Sequence, residues 1–269
     1  MSYHFHDQGI ALEQLGRTID YNDATEAIGF ITKTLDIFMR MINNFRTSIV
    51  GIRKSVKRSE LKTYHDSHIL AINKLFKSRY FDSSLSVPIP YGMKVPYLQA
   101  TEIVNDLYKK LDIESTIKVL SEYFSSITGE NRFSTADRVT TSISHITHED
   151  LEQILRQVFT NDKTLEVKLG EVFASFDEIL LVDKYILYYD IVFQKVERLC
   201  NELDRIERIV DVVVSNLEKQ TVVDKTEVQS LYQLVRTAGV QLDAFGVILD
   251  SMQRIEHNFV ICLRRLVGS

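Results

Sequence analysis

An apolar stripe constrains this chain more than any other feature. From Val182, alternate steps of three and four residues meet Tyr185, Tyr189, Val192, Val196, Leu199, Leu203, Ile206, Val210, Val213 and Leu217, all apolar or aromatic. That period, held for about five heptads, marks one side of a long helix that must lie against another helix. The Val212-Val213-Val214 run has mediocre helix propensity, but burial along a seam outweighs it. The stripe stops at Glu218 and restarts after Asp224, which stands at capping-box distance from Glu227. A second stripe then runs Val228, Leu231, Val235, Ala238, Leu242, Phe245, Leu249, Met252, Glu256, Phe259, Leu263, Leu266, with Glu256 its one polar member.

Folding the two stripes about a turn near residue 222 predicts an antiparallel hairpin. Leu217 is then level with Val228, Val210 with Val235, Leu203 with Leu242 and Val196 with Leu249. In this register Glu256 meets Tyr189, and the phenol is expected to donate a hydrogen bond to the carboxylate. Cys200 and Cys262 fall roughly 25 Å apart along the rod, too far for a disulfide.

The N-terminal region repeats the pattern. Asp23 and Glu26 form another capping-box pair, and the seam reads Ile28, Ile31, Leu35, Phe38, Ile42, Phe45, Ile49, Ile52, Val56. The phase slips beyond Val56. Either the helix turns near Lys57-Arg58-Ser59 or it continues through a stutter; with no glycine or proline after Gly51, a single helix to about Arg79 is the favoured of the two. Between the two helical parts stand all three prolines, Pro88, Pro90 and Pro96, and a Ser/Thr-rich stretch from Thr128 to Thr147. Helices are expected from Pro96, over Ile113–Ile127 and from about Thr147, and Arg138 to Ile146 alternates weakly like a strand.

The expected fold is all-α: an elongated antiparallel helical bundle or coiled coil. In it a long N-terminal helix (1–81) packs on a C-terminal hairpin (162–269), and a small helical head (82–161) is inserted between them. Composition agrees, with 45% hydrophobic and 26% charged residues, ordinary globular usage that excludes wholesale disorder. The opening residues lack a basic and apolar signal pattern. Apolar runs reach about five residues against roughly 18 for a bilayer span. Two cysteines point to a reducing compartment, the cytoplasm or a viral particle assembled there.

Little in the sequence reads as chemistry. His4 with His6, His65 with His68, and His145 with His148 are paired, but none has a third and fourth ligand at recognisable spacing. No glycine-rich phosphate loop or nucleophile elbow occurs. Asp204 and Arg208 look like an ordinary i,i+4 surface pair. No catalytic, cofactor-binding or metal-binding residue is assigned, and neither an enzyme nor a small-molecule substrate is expected.

Two segments read as binding surfaces. Residues 46–62 hold six basic residues against one acidic, a net of +5, whereas 162–219 hold 8 basic and 13 acidic, a net of −5. Arg53, Lys54, Lys57 and Arg58 are candidates for an anionic partner, and pairing between the two segments is the simpler use. With a net charge of −5 and no aromatic interleaving, nucleic acid is not the expected partner. The stretch Leu85–Tyr97 is extended and proline-stiffened. Val87, Pro88, Pro90, Tyr91, Pro96 and Tyr97 are candidates for docking a partner chain, or else the stretch is a packed connector.

The expected function is a non-enzymatic structural or assembly protein. It would act through helix-face contacts as an oligomer or in a larger complex, a phage or viral virion being one setting. The alternative is a membrane-surface or curvature-binding helical dimer using residues 46–62. Liposome binding lost on reversing Lys54, Lys57 and Arg58 would mark the alternative.

Overall fold

The structure is a computed structural model and describes residues 10–12, 14–16, 24–56, 59–128, 148–217, 219 and 225–268. The elements in chain order are α1 (Ala24–Val56), α2 (Glu60–Ser78), β1 (Ser86–Met93), α3 (Tyr97–Lys110), α4 (Ile113–Thr128) and α5 (His148–Val158). They continue as β2 (Phe159–Lys168), α6 (Leu169–Val172), α7 (Phe176–Ile179), α8 (Val182–Leu217) and α9 (Lys225–Gly268). This is an all-α helical bundle carrying one small antiparallel two-stranded sheet. The turn at residue 222, the caps at Asp23 and Asp224, residue Thr147 and the segment 138–146 lie outside the described residues.

The α8 helix begins where its stripe begins, and from Val182 to Val213 every stripe residue is buried. The α9 helix is buried on more than its stripe: Tyr232, Leu234, Ala244, Ile248, Ile255, Val260 and Cys262 are also inside. A helix apolar around most of its circumference belongs at the centre of a bundle.

The molecule divides into two compact units, each drawn from three stretches of chain. The first takes Met1–Val50, Lys110–Thr147 and Val196–Gly246; the second takes Gly51–Lys109, His148–Lys195 and Val247–Ser269. The expected boundaries at 81/82 and 161/162 therefore do not coincide with the units, and residues 82–161 are shared between them.

In the first unit α1 and α9 run parallel, because Phe30 packs on Tyr232 (ring centroids 5.4 Å) and Phe45 on Phe245 (5.9 Å). Gly239 lets them approach closely: a Cβ there would lie 2.8 Å from Met41 Sδ. The Tyr232 hydroxyl donates to the Leu12 carbonyl (2.7 Å), which joins the N-terminal residues to α9.

In the second unit α8 and α9 are antiparallel. Tyr185 packs edge-on against Phe259 with centroids 6.0 Å apart, in the register the two stripes require. Tyr97, Phe173, Tyr185 and Phe259 form one aromatic cluster, with Tyr97 only 4.3 Å from Phe259 and 4.7 Å from Tyr185.

The single helix expected to reach Arg79 is corrected to two. A new helix starts at Glu60, and Ser59 is its N-cap, its hydroxyl accepting the Lys62 N–H (3.1 Å). A capping hydroxyl competes with helix continuation, and the phase slip after Val56 was its trace. The α2 helix kinks at His68 (φ −123°, ψ 20°), where the ring stacks on Tyr64 at 4.2 Å and Nδ1 lies 3.0 Å from the Tyr64 carbonyl. It ends at Arg79 in the left-handed conformation (φ 49°), the Arg79 N–H reaching Leu75 O (3.1 Å).

Candidate interaction surface

The proline-rich stretch is a strand of the sheet. Ser86 pairs with Lys168, Val87 with Val167, Pro88 with Glu166, Ile89 with Leu165 and Tyr91 with Lys163, with an irregularity before Met93 meets Phe159. The Leu169 N–H donates to Leu85 O (3.0 Å), which sets the phase of the ladder. Odd-numbered residues of β1 bond to β2, and the nitrogens of Pro88 and Pro90 face outward. The ladder thus loses nothing, and the outer edge of β1 lacks N–H donors at two successive outward positions, a known block to strand addition.

The residues of the partner-docking expectation differ in exposure. Val87 and Tyr97 are fully buried in the second unit, Val87 on the inner face of the sheet and Tyr97 in the aromatic cluster. Pro88 is on the exposed face, and Pro96 is partly exposed, its carbonyl accepting the Ala100 N–H (2.9 Å) at the start of α3. The side chains of Pro90 and Tyr91 lie outside the described residues. The β2 partner went unread in the sequence, although Thr164-Leu-Glu-Val-Lys168 alternates polar and apolar in strand fashion.

Among the described residues the basic segment meets its acidic counterpart through Arg46 and Lys62. In the first unit the Arg46 guanidinium donates to both Asp204 and Glu207. In the second, Lys62 Nζ is 2.9 Å from Asp190 Oδ2. Asp204 is therefore not paired with Arg208 through its carboxylate; Arg208 Nε instead donates to the Asp204 backbone carbonyl (3.0 Å). The side chains of Arg53, Lys54, Lys57 and Arg58 lie outside the described residues.

Glu256 heads a polar group at the start of α2. It is 4% exposed, accepts hydrogen bonds from the Ser59 hydroxyl and the Leu61 N–H (3.0 Å), and so caps that helix from a distant part of the chain. Beside it, Glu60 receives His257 Nδ1 (2.8 Å) and Arg264 (3.4 Å). The Tyr189 phenol donates to the Met252 carbonyl (3.2 Å), which corrects the expected bond to Glu256. The two side chains remain electrostatic neighbours, but the acid is engaged by the end of α2.

Burial pushes the Glu256 carboxyl above its ordinary value, aided by Glu60 and Asp190 and opposed by the bonds from Ser59 and Leu61. Desolvation thus outweighs the favourable field of a helix N-terminus. Burial also raises the Tyr97 and Tyr189 phenols, keeping both neutral. Cys200 and Cys262 are buried free thiols, and burial pushes Cys262 up to about 12.

His65 Nε2 lies 3.5 Å from Asp183, and His68 is stacked on Tyr64; His4, His6, His145 and the side chain of His148 lie outside the described residues. Among the described residues no group of three or more His, Cys, Asp and Glu side chains is arranged to hold a metal, and no helix is long and apolar enough to cross a membrane.

The outer surface of the second unit carries large apolar side chains. Leu70 is 83% exposed, Tyr80 64%, Leu187 60% and Ile191 47%. Leu70 projects from α2, Leu187 and Ile191 from α8, and the Lys62–Asp190 and His65–Asp183 contacts hold these two helices antiparallel. Sequence reasoning passed over them because they fall outside the core stripes. Comparison of the chain with protein families, with curated proteins and with solved structures finds no match.

Proposed function

We propose that this chain is a non-enzymatic structural or assembly protein that works through helix-face contacts with other protein chains. A phage or other viral particle, assembled in a reducing compartment that suits its free thiols, is one setting. The observation that carries the reading is the exposed apolar group on α2 and α8. Leaving Leu70, Leu187 and Ile191 in water forgoes about 1.5–3 kcal/mol for each side chain that a partner would bury. The basic segment supports the same reading, since Arg46 and Lys62 already meet carboxylates of this chain.

The test is to recover the native chain at its natural abundance, identify what accompanies it and measure its mass in solution. A stoichiometric protein assembly, or a homo-oligomer, is expected, and Leu70→Glu should disperse it. A monomer without a protein companion, together with an assembly state indifferent to Leu70→Glu, would remove the basis for this reading.

A further inference from the structure

We infer that the outer face of α2 is a two-fold interface with a second copy of this chain, centred on Leu70; the inference rests on the assembly reading above and names its partner. The exposed face of α2 carries Ile69 (38% exposed) and Leu70 among polar residues, with Asp66 one turn before Leu70 and Lys74 one turn after, both exposed. When two such helices pack antiparallel about an axis at Leu70, each Asp66 lies opposite the other copy's Lys74 and the leucines meet at the centre. An isologous interface requires this self-complementarity, in which residue i meets j and j meets i. Parallel packing would instead oppose Asp66 to Asp66 and Lys74 to Lys74, so the charges select the antiparallel arrangement.

The same axis bears on Leu187 and Ile191, the exposed apolar groups of α8. The Lys62–Asp190 and His65–Asp183 contacts put Leu187 and Ile191 about level with Thr63 and Ser59, at 1.5 Å per residue along antiparallel helices. Rotation about Leu70 carries the end of α2, at Ser78, to the level of Lys62 of the other copy. The end of one copy's α2 thus falls near the level of the other copy's Leu187 and Ile191. One operation buries Leu70, brings the end of α2 to the level of Leu187 and Ile191, and opposes two pairs of unlike charge.

The test uses the full chain in sedimentation equilibrium across a range of concentrations. Wild type is expected at twice the 31.1 kDa chain mass. Because Leu70 is exposed, Leu70→Glu should give a folded monomer with the circular dichroism of wild type, whose melting, unlike that of wild type, does not depend on concentration. Asp66→Lys should weaken the dimer about tenfold, since it creates two like-charge contacts. The exchange Asp66→Lys with Lys74→Asp should return it to within about threefold of wild type. A chain monomeric at about 100 µM, or a dimer unaffected by Leu70→Glu, would overturn the two-fold. A monomer that still holds a different protein through Leu70 would also overturn it while leaving the assembly reading intact.

Discussion

Glu256 shows how one residue can be legible and its role hidden. As the only polar position in a twelve-residue stripe, it announces a buried acid. Its partners, Ser59 and the Leu61 N–H, lie almost two hundred residues earlier, so no local pattern could supply them. Its titration gives a directional prediction. The folded chain holds the Glu256 proton more tightly than the unfolded chain, whose carboxyl has the ordinary value of 4.5. The stabilisation from that proton is complete below the unfolded pKa and is lost as pH rises through the raised folded one. Glu256→Gln removes this slope while keeping an oxygen for Leu61 N–H. Denaturation midpoints measured from pH 4 to 8 should therefore shift in favour of the variant as pH rises, and parallel curves would refute the assignment.

At the scale of elements, the long helices were readable because their burial repeats locally every three or four residues. The break between α1 and α2 was half readable: the phase slip allowed a turn near Lys57-Arg58-Ser59, but the capping role of Ser59 was not legible. Ser59→Ala leaves the Lys62 N–H without its capping oxygen and should cost about 0.5–2 kcal/mol in urea unfolding. A loss below about 0.2 kcal/mol would mean the cap is not holding the start of α2. The strand β1 was foreseen as extended, but its pairing was not, because β2 lies some 70 residues away and its alternation is short. The outward nitrogens of Pro88 and Pro90 explain why prolines sit in a strand at all: they occupy the positions where the ladder asks for no donor.

For the whole molecule, four of the described helices carry residues of both units: α1, α8 and α9 each cross a unit boundary, and α3 gives its last residue, Lys110, to the first unit. Neither unit is a contiguous piece of sequence. A chain ended after Gly246 keeps every stretch of the first unit and removes Val247–Ser269 from the second, taking with it Met252, Glu256 and Phe259 from the core. Hydrogen exchange should then show the β1 and β2 amides losing protection while α1 amides keep theirs. Protection that persists in the sheet would contradict the division.

By itself the sequence determined the fold class, the extent of α8 and the presence of a long partner helix after Asp224. Each of these follows from apolar spacing within a single helix, which is local information. Only the tertiary structure decided that α9 is buried around most of its circumference, that Glu256 caps α2, that the proline stretch pairs with β2 and that Leu70 is left in water. These depend on which distant segments meet, and hydrophobic periodicity records that a face must be covered without recording what covers it.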